Sequence, residues 1–61
     1  MKVTQNGGTT TVTLFEYVFK ITFNEKRRCF LIKKPGVSRT LYEAYNFQNA
    51  LDKIASGQLC K

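Results

Sequence analysis

Residues 9–23 read "TTTVTLFEYVFKITF", a run of β-branched and aromatic side chains that alternates with a period of two. On a continuous strand, Phe15, Tyr17, Phe19, Ile21 and Phe23 share one face and Leu14, Glu16, Val18, Lys20 and Thr22 the other. The aromatic face has to be buried. The run is far longer than the usual strand of about 5–6 residues, so a bend, a bulge or a change of pairing partner is expected near its middle. Just upstream, Asn6-Gly7-Gly8 has the composition of a hairpin turn and predicts that residues 2–5 fold back onto residues 9–13.

Downstream, Asn24-Glu25-Lys26-Arg27 leads into a strand predicted from Arg27 to Lys34. Pairing Phe23 with Arg28 sets Ile21 opposite Phe30 and Phe19 opposite Ile32, which adds Phe30 and Ile32 to the aromatic face. A slip by one residue exchanges them for Cys29 and Leu31 and loses apolar burial. Pro35-Gly36 then predicts a type II turn. Beyond it two readings stay open. In the preferred one, "SRTLYEAY" (residues 38–45) forms a strand with Thr40, Tyr42 and Ala44 on one side. A helix capped at Asn46 comes next, with Phe47, Ala50, Leu51 and Ile54 at i, i+3, i+4, i+7 and Gly57 at its C-terminal cap. In the other, Ser38 caps one helix running to Ser56.

The expected fold is α+β: an antiparallel sheet of three to four strands with one C-terminal helix packed on its aromatic face (β-β-β-α or β-β-β-β-α), the other face open. Phe19, Ile21, Phe30, Ile32, Leu51 and Ile54 are the expected core. Three strands followed by one helix, over roughly residues 15 to 56, is similar in layout to several DNA-binding modules, including the arm-site-binding domains of phage-type integrases and the plant AP2 domain. The likeness is one of layout and carries no residue across.

Sixty-one residues form one small domain, residues 1–61. A chain this short buries only about 60% of its unfolded surface, so stability is expected to be marginal. Residues 1–8 and 58–61 are expected to be its least ordered parts. No apolar run approaches the roughly 18 residues that span a bilayer, and the start "MKVTQNGGTT" lacks the apolar core of a secretory signal. A cytoplasmic protein with no membrane partner is the expectation.

The net charge of +6 is concentrated. Between Lys20 and Arg39 stand seven of the ten cations, Lys20, Lys26, Arg27, Arg28, Lys33, Lys34 and Arg39, against the single anion Glu25. Elsewhere Lys2, Lys53 and Lys61 balance Glu16, Glu43 and Asp52. A concentrated patch of this kind attracts polyanions. On the predicted strands Arg27 and Lys33 join Lys20 on the open face, while Arg28 and Lys34 edge the core face with stems long enough to snorkel outward. A plainer role, a solvated rim that discourages edge-to-edge aggregation, accounts for any one of these cations taken singly.

Chemistry is sparse. There is no His, and the four carboxylates are scattered over different elements, so no enzyme activity is expected. Cys29 and Cys60 form no C-x-x-C pair, and no metal or cofactor is expected. Cys29 reads as a packed strand residue and a disulfide between the two is disfavoured. "NGGTTT" lacks the Gly-Lys-Ser/Thr ending of a phosphate loop. Phe15, Phe19, Phe23 and Phe30 read as core, and Tyr42 and Tyr45 remain candidates for base stacking if either points outward.

The leading expectation is a small basic nucleic-acid-binding protein, with duplex DNA favoured, using the open sheet face and the Asn24–Arg28 turn. All seven cations of the segment would contact phosphates. The alternative is a protein-interaction module or inhibitor of a host protein, phage- or plasmid-encoded, or a homodimer, built on an apolar stripe of Leu14, Val18 and Leu31 on the open face.

Overall fold

A computed structural model of the chain describes residues 1–60. Five strands, β1 (Lys2–Asn6), β2 (Thr9–Leu14), β3 (Tyr17–Asn24), β4 (Cys29–Lys33) and β5 (Tyr42–Ala44), are followed by one helix, α1 (Phe47–Ala55). The strands form an antiparallel meander in the order β1-β2-β3-β4-β5, and α1 packs on β4 and β5. The α+β architecture with a C-terminal helix is therefore as expected, and the sheet has five strands because residues 9–23 divide in two.

The division has a simple cause. Fifteen extended residues would span about 50 Å, whereas the longest dimension of the molecule is 31 Å. The run folds back at Phe15-Glu16, with Leu14 opposite Tyr17. A two-residue hairpin sets even-numbered β2 positions opposite odd-numbered β3 positions, so Val12 faces Phe19 and Thr10 faces Ile21. Leu14 consequently packs against the core rather than lying on the open face, and Phe15, expected in the core, is 85% exposed at the turn.

The upstream hairpin forms as predicted, with Asn6 opposite Thr9 and Val3 opposite Val12. Gly7 has φ +64, the positive value that the first central residue of a II′ turn requires. The β3–β4 register differs from expectation by two residues: Phe23 faces Phe30 and Ile21 faces Ile32. An even shift leaves every side chain on its predicted face. It also replaces an Arg28–Phe23 pairing by an aromatic pair with ring centroids 5.1 Å apart. The four-residue turn 25–28 is held by the Arg27 N–H donating to Asn24 Oδ1 at 3.1 Å, and Arg28 has φ +53.

At Pro35-Gly36 the Val37 N–H donates to the Lys34 carbonyl at 3.1 Å and Gly36 has φ +78, as a type II turn demands. Of the two readings of residues 38–56, strand then helix is the observed one, although the strand is confined to residues 42–44. Asn46 is the helix N-cap, its Oδ1 accepting from the Asn49 N–H at 2.6 Å, and Gly57 adopts φ +80 just past the C-cap. Asn46→Ala should therefore cost about 0.5–2 kcal/mol, read as a lowered midpoint in urea unfolding with an unchanged m-value. An unchanged midpoint would show that the cap contributes nothing.

The core consists of Val12, Phe19, Ile21, Ile32, Ala44, Ala50 and Ile54, with Phe30, Leu51, Leu59 and Cys60 packed around it. Of the six expected core residues, Phe30 and Leu51 are only half-buried, and Phe23, next to the turn at the end of β3, is 50% exposed. Residues 2–6, within the stretch expected to be loose, form β1, while Lys61 lies outside the described residues.

Candidate nucleic-acid interface

The helix covers one face of the sheet, and strand pairing dictates what the other face presents. Its central row crosses four strands as Thr4, Thr11, Lys20, Lys33. On one side of it runs Lys2, Thr13, Val18, and on the other Asn6, Thr9, Thr22, Leu31, Glu43. Five threonine hydroxyls and three lysines thus share one surface. The threonines at 9, 11 and 13 reach it through the parity change at Phe15-Glu16, and Lys2 joins it through the β1–β2 pairing.

Lys20 and Lys33 stand directly opposite one another. Like charges in that position are destabilising, and among the described residues neither is in an ion pair. The one anion on the face, Glu43, is already engaged: Arg27 Nη2 lies 2.9 Å from its Oε1. Cys29 Sγ donates weakly to the same oxygen at 4.0 Å. Arg27 is therefore partly neutralised, a pairing that the linear charge count does not show. Cys29 lies on the open side and Cys60 on the core side, and both are free thiols.

The remaining cations are dispersed. Lys26 and Arg28 are exposed in the 25–28 turn, and Arg28 lines a surface recess with Phe23 and Glu25, on the core-face edge. Lys34 turns toward the covered side, its ammonium 5.4 Å from the centroid of the Tyr17 ring and 5.9 Å from that of Phe19. Arg39 is exposed in the loop between β4 and β5. The structure thus gathers Lys20, Lys33 and Arg27 on one face, sets Lys26 in the turn at its end, and places Arg28 and Lys34 toward the covered side.

The predicted apolar stripe is not continuous. Leu14 belongs to the core side, Leu31 is 9% exposed, and Val18 alone of the three is open. Of the tyrosines, Tyr42 is half-buried with Lys53 Nζ 4.7 Å from its ring centroid, while Tyr45 is 77% exposed. No helix among the described residues is long and apolar enough to cross a membrane, and no three metal-ligating side chains among them come together. Comparison with protein families, curated proteins and solved structures returned no match.

Proposed function

We propose that the protein binds nucleic acid, duplex DNA foremost, through the uncovered face of its sheet. The observation that carries this reading is the Lys20–Lys33 pair: two like charges directly opposite, without an ion-pair partner among the described residues, on a face that also carries five threonines. A polyanion removes that repulsion. Lysine ammonium groups and threonine hydroxyls are both common partners of phosphate oxygens, and such contacts position a protein on a duplex without reading its sequence. Lys2 and Lys26 extend the positive field toward the two ends of the face.

An NMR titration with a short mixed-sequence duplex tests the reading, first at low salt and then at about 0.15 M, near physiological ionic strength. Amide shifts are expected to move at residues 11, 20, 22, 31 and 33 and in the 25–28 turn, and to stay still along α1. Shifts no larger on the sheet than on the helix would reduce the basic face to a solvated rim.

A second reading, addition of a protein strand or a second copy of the chain to β1, is favoured by one feature. All five residues of this edge strand are exposed and none is Pro. Sedimentation at several concentrations tests for self-association, and a mass that stays monomeric at every concentration rules out the second copy.

A further inference from the structure

Two hairpins of this sheet are closed by two-residue turns with the same backbone pattern, positive φ at the first central residue and not at the second. In one that residue is Gly7 (φ +64). In the other it is Phe15 (φ +57). Glycine takes this conformation without a steric penalty, whereas a bulky aromatic there is a genuine outlier. The ring gains no burial in exchange, being 85% exposed, the most open of the large hydrophobic side chains. Folding therefore favours glycine at position 15 on both counts, conformation and solvation, and the chain carries Phe.

Strain without compensating burial points to a function outside the fold. Among the described residues the other non-glycine residue at positive φ is Arg28, in the turn at the far end of β3. The two strained turns, one carrying an aromatic ring and the other a guanidinium, thus lie at opposite ends of β3, whose eight residues span about 25 Å. Lys20 lies on the strand between them. Aromatic rings and cations are the two side-chain types that bind nucleic acid without reading sequence, by stacking on bases and by neutralising phosphates.

We infer that Phe15 is a base-stacking residue: its ring leaves water by lying against the face of a nucleobase while the cations of the sheet hold the backbone. This inference rests on the nucleic-acid reading above and adds to it a salt-independent contact. The base face comes either from a single strand or from a step opened within a duplex, where apolar side chains wedge between bases.

Two variants test it. Phe15→Gly relieves the strained φ, so its Tm should equal or exceed that of the parent. Its affinity should fall about 5-fold or more at every salt concentration, with the slope against log salt unchanged. Phe15→Trp keeps the stacking surface and introduces the only Trp of the chain. It should bind at least as tightly as the parent, with its emission quenched on titration. Both are measured against a duplex and a single strand of the same sequence. A loss confined to the single strand assigns the ring to open bases, and a loss confined to the duplex assigns it to a wedged step. Phe15→Gly affinity within twofold of the parent on both, or unquenched Trp in a saturated complex, overturns the stacking role and leaves nucleic-acid binding standing. Failure of the parent to bind either nucleic acid overturns both.

Discussion

Phe19→Ala is expected to leave no cooperative thermal transition near that of the parent, with Tm lowered by at least about 12 °C or the folded signal lost altogether. Phe19 is fully buried at the centre of the sheet, opposite Val12 on β2, with the Lys34 ammonium near its ring. Truncating a buried Phe costs about 3–5 kcal/mol, the lost transfer energy plus the cavity left behind. A 61-residue domain has a total stability of only about 3–9 kcal/mol, so the cost takes up roughly a third of it or more. Phe30→Ala removes a half-buried ring in contact with Phe23 and Phe47 and should cost less, and Phe23→Ala, half exposed, less again. Melts followed by far-UV circular dichroism check the order Phe19, Phe30, Phe23. A Phe19→Ala melt within a few degrees of the parent would place the core elsewhere.

The same phenylalanines show how much was legible in the sequence. Period-two alternation identifies the core face of β3 correctly at Phe19 and Ile21, because face depends only on parity along one strand. Alternation carries no mark of where a strand ends, however. The turn at Phe15-Glu16 lacks the Gly, Asn or Pro that usually announces one, so alternation alone puts Leu14 and Phe15 on the wrong sides. Gly7, Pro35-Gly36, Asn46 and Gly57 do carry such marks, and the turns and caps there fall where turn chemistry places them.

For the candidate site, local charge density is visible in the sequence and charge pairing is not. Glu43 lies 16 residues from Arg27 along the chain, and only the β4–β5 pairing sets it beside Leu31 on the open face, within reach of the guanidinium. Lys53, on the helix and outside the basic segment, lies over Tyr42 and hydrogen-bonds Gln58. Its removal disturbs packing as well as charge, so it is a poor control for binding.

That charge geometry sets the second large effect. If about four to five cations each neutralise a phosphate, affinity for a short duplex should fall with a log–log slope of about −3 to −5, or roughly 60- to 1,000-fold between 50 and 200 mM salt. Lys20→Ala and Lys33→Ala should each reduce the slope by about one unit, because each removes a cation with no anion beside it. Arg27→Ala should reduce it by less, since Glu43 already neutralises that guanidinium and is left unpaired when it is gone. Glu43→Gln should act in the opposite direction, freeing Arg27 for phosphate and steepening the slope. Fluorescence anisotropy with a labelled duplex at four or more salt concentrations measures all of these. Equal losses for Arg27→Ala and Lys20→Ala would mean that the Arg27–Glu43 pair opens when nucleic acid binds. A slope near zero would remove phosphate contact, and with it the role assigned to the sheet face.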